Sequence, residues 1–337
     1  MMIPLTTAAV SSFVLGASAL SLHSQTEQSG AVEKRWVGWE NIKNAFIFGD
    51  SYTQTGFDYT STQPSATNPL GNPAYYGYTS SNGPNWVDYL TYEYNASALL
   101  TYNLAYGGAT VDASLVAPYA TTVLSLKDQV ETQFIPGYTG NSSKATWTGD
   151  DSIFAVWIGI NDIGNSYYNG ADSTDALNTE IFAVISNLTD QIYNAGGRNY
   201  VFINVPTLDR TPLIVPYGDS AIALSKADVA SWNQKLVDFA GEVKAKGDTN
   251  VWVYDSNTSF GKILDGPTSY TQTAGLKNTT SYCAAYENGT PAQDTYDASC
   301  GVPVNEYFWL NTLHPTYPVH EVVAQEVADL LTAGPNI

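Results

Sequence analysis

Five short apolar runs constrain this chain more than any other feature: Ala45–Phe48, Leu100–Leu104, Ile153–Ile158, Tyr200–Asn204 and Val251–Tyr254. They read as strands buried on both faces, as the strands of a parallel sheet are. Helical patterns separate them at Pro84–Asn95, Thr122–Phe134, Asp175–Ala195 and Ile222–Lys246, and a last one, Pro318–Leu331, opens on a proline. Strands alternating with helices predict an α/β fold, a parallel sheet covered on both faces. The polar stretches 54–83, 136–150 and 256–306 read as loops decorating one domain, with neither a repeat nor a linker to divide it.

The N-terminus reads as an export signal. Ile3 to Leu20 is apolar, small and uncharged and ends in Ala17-Ser18-Ala19, a small-x-small cleavage pattern, so residues 1–19 are expected to be a signal peptide. Ser, Thr and Gly interrupt the run and no basic stop-transfer flank follows, which argues against a membrane anchor. A polar segment ends in Lys34-Arg35, a dibasic pair like a processing site. Residues 20–35 are therefore expected to be a propeptide and 36–337 the working domain.

The rest of the composition suits a secreted protein. Six sequons, at Asn95, Asn141, Asn187, Asn257, Asn278 and Asn288, are expected to lie at the surface and carry glycans. Cys283 and Cys300 are the only cysteines, and in an oxidising compartment two cysteines are expected to pair. With 13 Lys and Arg against 32 Asp and Glu, the net charge of −19 repels nucleic acid and anionic membranes. No Cys/His cluster suits zinc and no glycine-rich loop suits a phosphate, so neither a metal nor a cofactor is expected. The chain is expected to act as a monomer on a small-molecule or oligosaccharide ester.

Chemistry gathers at the strand ends, where open α/β sheets bind ligands. The first strand runs into "FGDSYTQTG", which makes Ser51 a candidate nucleophile, with Asp50 placed to hold the turn through local N–H groups. After the second, in "NLAYGGAT", Gly107 and Gly108 can offer backbone N–H groups to a ligand. After the third, in "GIND", the Asn161 amide can donate to a developing oxyanion. "NTLHPTYPVH" supplies His314 just before the last helix, with His320 inside it. Alone, each has a plainer reading: a helix N-cap, a tight turn, a turn cap, a packed loop residue. Together they are the nucleophile, oxyanion donors and general base that an ester hydrolase needs.

This set resembles the GDSL, or SGNH, hydrolase family, whose four marker residues match Ser51, Gly108, Asn161 and His314 in order, in blocks spanning residues 45–333. The resemblance implies a three-layer α/β/α fold with a five-stranded parallel sheet in flavodoxin-like order. It also implies an oxyanion hole from the N–H groups of Ser51 and Gly108 and the Asn161 amide. Within the family the chain is most similar to the secreted fungal acetylesterases of carbohydrate esterase family sixteen. It departs from the wider family at Asn311, where an Asp three residues before the histidine is usual. An asparagine oxygen can still accept the Nδ1–H bond of His314, as in papain-like proteases, but supplies no charge for the imidazolium. Asp209 and Asp255 are substitutes of lower rank. The leading reading is a secreted esterase that deacetylates plant-wall carbohydrate, its aromatic loops "NPAYYGY", "NSYYNG" and "NEYFWL" suiting sugars. The alternatives are a lipase or phospholipase acting on longer acyl chains, and a non-catalytic carbohydrate-binding protein with a degenerate site.

Overall fold

All five apolar runs are strands: β1 Asn44–Gly49, β2 Leu100–Asn103, β3 Ser152–Trp157, β4 Asn199–Ile203 and β5 Asn250–Tyr254. The computed structural model describes residues 36–337; the stretches expected to be a signal peptide (1–19) and a propeptide (20–35, with the Lys34-Arg35 pair) lie outside them. The strands form one parallel sheet in the order β2-β1-β3-β4-β5, the flavodoxin-like order. Every residue of β1, β3 and β4 is buried, which is why these runs show no alternation. In the register of the central pair, Gly49 at the end of β1 lies beside Trp157 at the end of β3. The strand order reverses between β1 and β3, so a crevice opens past their carboxyl ends.

Helices cover both faces. The first, α1 (Trp86–Tyr92), starts at a capping box in which Asn85 Oδ1 accepts from the Val87 N–H (2.9 Å) and Asp88 Oδ2 from the Asn85 N–H (2.8 Å). The next helical run comprises α2 (Leu126–Asp128), a π-helical segment (Gln129–Phe134) and α3 (Ile135–Tyr138). There follow α4 (Ile160–Gly164), α5 (Ala171–Asn194), α6 (Asp219–Lys244), α7 (Ser256–Asp265) and α8 (Tyr317–Ala333). The α8 helix packs on α1, α7 and one face of β5, whereas α6 packs on α5 and the other face of β5. This makes three layers, α/β/α.

Besides shifts of a few residues at other helix ends, three elements depart from the sequence reading. The helix read at Thr122–Phe134 starts later, at Leu126, where Ser125 caps it, and its helical path runs on into the expected loop 136–150. The expected loop 256–306 begins with α7, whose Phe260, Ile263 and Leu264 are buried one turn apart. Its polar first turn and Gly261 hide that periodicity. The short α4 was not expected, since only Ile160 and Ile163 mark it as helical.

Candidate active site

Ser51 sits in the tight turn that leaves β1. The Asp50 carbonyl accepts from the N–H groups of Thr53 (3.1 Å) and Gln54 (2.9 Å), and Asp50 Oδ1 accepts from the Tyr52 N–H (3.0 Å). Gly49 must be glycine for lack of room: an added Cβ would stand 2.4 Å from the Trp157 carbonyl oxygen. From the π-helical segment, buried Gln129 clamps Gly49 at both polar groups, accepting its N–H (2.9 Å) and donating to its carbonyl (2.8 Å). The turn that carries Ser51 is thus fixed by a side chain that the sequence reading did not single out.

The histidine comes from a loop folded back on itself. The Leu310 N–H donates to the His314 carbonyl (2.8 Å), and the Thr316 N–H donates to the Phe308 carbonyl (2.8 Å). Inside this loop Asn311 Oδ1 accepts from the backbone N–H groups of Leu313 (3.1 Å) and His314 (2.9 Å) and lies 2.9 Å from His314 Nδ1. Asn311 Nδ2 donates to the Glu287 carbonyl (3.4 Å). The two backbone donors settle which end of the amide faces the ring, because Nδ2 there would oppose N–H to N–H. Nδ1 must then carry the proton, leaving the Nε2 lone pair for Ser51 Oγ, 2.7 Å away.

His314 has an edge open to the cleft, but the atoms packed around its ring hold bulk water off, and that burial lowers its pKa from 6.5 to about 4. The Tyr52 ring meets it edge-on at 5.6 Å, and the Tyr52 hydroxyl donates to the Leu313 carbonyl (2.6 Å), tying the serine turn to the histidine loop. His320 lies in α8 as expected, but it is buried against the other side of Tyr52 rather than free on a helix surface.

The other strand ends supply donors. Gly108 has φ +82°, a left-handed conformation, and a Cβ there would meet the Tyr119 ring at 2.2 Å. The Asn161 amide donates to the Ala109 carbonyl (2.9 Å), which leaves its second N–H free for a ligand. Among the described residues no acceptor faces the N–H of Ser51 or of Gly108. The Gly107 N–H, expected to be open to a ligand, is instead taken by Gln54 Oε1. Buried Asp162 accepts from the Val111 N–H (3.1 Å) and so holds the far end of the same turn. Burial raises the carboxyls of Asp50 and Asp162 to about 7.

Two clefts meet at His314. The larger, about 800 Å³, is lined by Ser51, Gly108, Asn161 and His314 and walled by Phe57, Tyr59, Tyr106 and Tyr119. The smaller, about 330 Å³, runs behind Asn311 among Thr79, Asn82, Glu287 and Thr290. The aromatic loops singled out in the sequence do not form the larger cleft. Tyr307, Phe308 and Trp309 of "NEYFWL" are buried in the core, and of the tyrosines in "NPAYYGY" only Tyr76 lines the smaller cleft. The cleft aromatics are lone residues in loops, without a cluster to mark them.

Neither substitute acid reaches the ring. Asp255 caps α7, accepting from the Thr258 N–H (3.0 Å) and the Asn204 amide (2.8 Å), and Asp209 lies in a separate cleft with Arg210 and Lys226. Cys283 and Cys300 form a disulfide. None of the six sequon asparagines is buried. Among the described residues no group of three or more His, Cys, Asp or Glu could hold a metal ion, and no helix is long and apolar enough to cross a membrane.

A serine and a histidine in contact beside unpaired N–H donors, at the switch point of a parallel sheet, define a carboxylic ester hydrolase. The chain belongs to the GDSL-like lipase/acylhydrolase family, whose model matches residues 46–327. It is 39% identical over 300 residues to an acetylesterase of Thermothelomyces thermophilus, covering 86% of this chain and 88% of that one. It is 26% identical over 324 residues to an acetylesterase of Hypocrea jecorina, covering 87% and 90%. An acetylxylan esterase from Geobacillus stearothermophilus aligns in structure with a TM-score of 0.46 at 13% identity, over 86% of this chain and 94% of that one.

Proposed function

We propose that this chain is a secreted acetylesterase that removes acetyl groups from carbohydrate, with Ser51 as nucleophile, His314 as general base and Asn311 as the residue that orients the ring. Ser51 Oγ attacks the ester carbonyl carbon while His314 Nε2 takes its proton. The carbonyl oxygen becomes an oxyanion received by the N–H groups of Ser51 and Gly108 and the free N–H of the Asn161 amide. The tetrahedral intermediate collapses, the C–O bond to the alcohol breaks, and His314 returns the proton to the departing sugar oxygen. Water then attacks the acetyl-enzyme, gives its proton to His314 and releases acetate, and Ser51 recovers the proton.

The observation that carries this reading is the unbroken line from Asn311 Oδ1 to His314 Nδ1 (2.9 Å) and from His314 Nε2 to Ser51 Oγ (2.7 Å). The acetyl preference is supported by the two fungal relatives, both acetylesterases. A cleft of about 800 Å³ far exceeds what an acetyl group fills, so in this reading most of it receives the alcohol, and its mix of aromatic and polar walls suits a sugar. The test is a chain-length series of aryl esters from acetate to octanoate, together with a partially acetylated xylo-oligosaccharide. Highest kcat/KM on acetate, release of acetate from the sugar, and loss of both with Ser51→Ala are expected. A preference for octanoate identifies a lipase, and activity that survives Ser51→Ala removes the mechanism.

A further inference from the structure

Tyr119 is anomalous for an aromatic residue: it is 80% exposed, yet its ring edge lies on the α-carbon of Gly108, in the space where any other residue would have its Cβ. It comes from the loop between β2 and α2 and lines the larger cleft, as Tyr106 does. Bare aromatic surface costs stability in water and contributes nothing to the core here. Its position is tied to chemistry all the same, because Gly108 presents one of the unpaired N–H groups in which the ester oxygen would sit. A group joined to the ester through its alcohol oxygen is only two bonds from the carbonyl carbon, and so falls within reach of that ring.

We propose that Tyr119 is a sugar-binding platform, its exposed ring receiving the apolar C–H face of the pyranose that carries the acetyl group. This rests on the carbohydrate reading above and adds to it a residue that determines specificity. The flat ring fits that role better than it fits an acyl pocket. An acyl wall must enclose its ligand, whereas Tyr119 is open on most of its surface. Gln54, Asp58 and Gln133 add polar groups to the lining of the same cleft. Other tyrosines are less suited. The Tyr59 ring is covered by the Lys144 ammonium at 4.5 Å, and Tyr168, although exposed, lines neither cleft.

The experiment compares Tyr119→Ala and Tyr119→Trp with the unaltered enzyme on aryl acetate, aryl octanoate and a partially acetylated xylo-oligosaccharide. Removing one aromatic face is expected to raise KM for the oligosaccharide about tenfold relative to aryl acetate, with Tyr119→Trp restoring it. Any relaxation of Gly108 affects all three esters alike, so the ratio isolates the sugar contact. An unchanged ratio with the sugar still turned over removes the platform and leaves the carbohydrate reading intact. A gain on octanoate shows that Tyr119 limits acyl length and overturns the proposal. An unaltered enzyme that hydrolyses aryl acetate but never the sugar overturns both.

Discussion

Replacing Asn311 with aspartate tests the site more sharply than deleting any of its members. The new carboxylate accepts the same two backbone N–H groups, at 3.1 and 2.9 Å, and these bonds favour its ionised form. Its second oxygen stands where Nδ2 donated to the Glu287 carbonyl at 3.4 Å, so a long hydrogen bond gives way to a repulsion between two oxygens that the loop must relax. What changes is a full negative charge 2.9 Å from His314 Nδ1. An opposite charge this close raises the pKa of a cation by about one to three units. His314 starts at about 4, depressed by burial alone, and the new charge raises its pKa back towards that of a free imidazole. The base works only when neutral, and a higher pKa means more protonated imidazole at any given acid pH. The acid limb of kcat/KM therefore moves to higher pH.

The plateau is expected to be kept or raised. In a trypsin-like triad the reverse change, Asp to Asn, costs about 10⁴, largely because the amide holds the wrong tautomer. Here the backbone donors already fix the right tautomer, so aspartate adds only its attraction for the forming imidazolium and the gain is far smaller. The assay is kcat/KM on aryl acetate across the acid range, for the unaltered enzyme, Asn311→Asp and Asn311→Ala. The alanine variant should fold and lose activity, since no acceptor then holds the ring in its Nδ1–H tautomer. Full activity in Asn311→Ala together with an unmoved limb in Asn311→Asp refutes the assignment of Asn311.

Three further outcomes are expected. Ser51→Ala and His314→Ala should each abolish esterase activity, and the double variant should be scarcely worse than either, because nucleophile and base act as one unit; additive losses in aryl acetate turnover would contradict this. Asn161→Ala should lower kcat about 10²–10³-fold with KM little changed, as removal of an oxyanion donor does; steady-state kinetics showing a KM effect alone would exclude the role. Replacing both Cys283 and Cys300 with serine opens a bridge between residues 17 apart and should cost about 3 kcal/mol, read as a lower melting temperature. Activity should fall only slightly, although Glu287, whose carbonyl steadies Asn311, lies within the bridged loop.

The strands and the long helices were legible because burial on both faces and a 3.6-residue period leave unmistakable patterns. Helix α7 was not, since a run such as "SNTSFGKILD" puts its apolar residues only in its second half. Ser51, Asn161 and His314 stood out because each follows a strand or precedes a helix, whereas Gly108 was separated from Gly107 only by the family resemblance. The orientation of Asn311 was also within reach of the sequence. An asparagine that bonds the N–H groups two and three residues ahead is a local turn, fixed by chain geometry rather than by distant packing. Gln129, Gln54 and Tyr119 were out of reach: each acts across a loop or layer, on Gly49, Gly107 and Gly108, and no spacing announces such a contact.

The missing carboxylate and the burial of His314 act in the same direction. Burial disfavours the imidazolium, and a neutral partner at position 311 does nothing to restore it, so the folded pKa falls to about 4. The unfolded chain takes up that proton near 6.5 and the folded one only near 4. Folding stability is therefore lost through this group as pH falls between those values. Asp50 and Asp162 offset that loss: with folded pKa values of about 7, raised by burial, they bind protons more readily folded than unfolded, and their contribution grows as pH falls from 7 towards 4. If His314 is the base, this arrangement keeps it unprotonated in mildly acid solution, the range in which Asp50 and Asp162 add to stability. An aspartate at 311 would strengthen the couple near neutrality and give up that acid range.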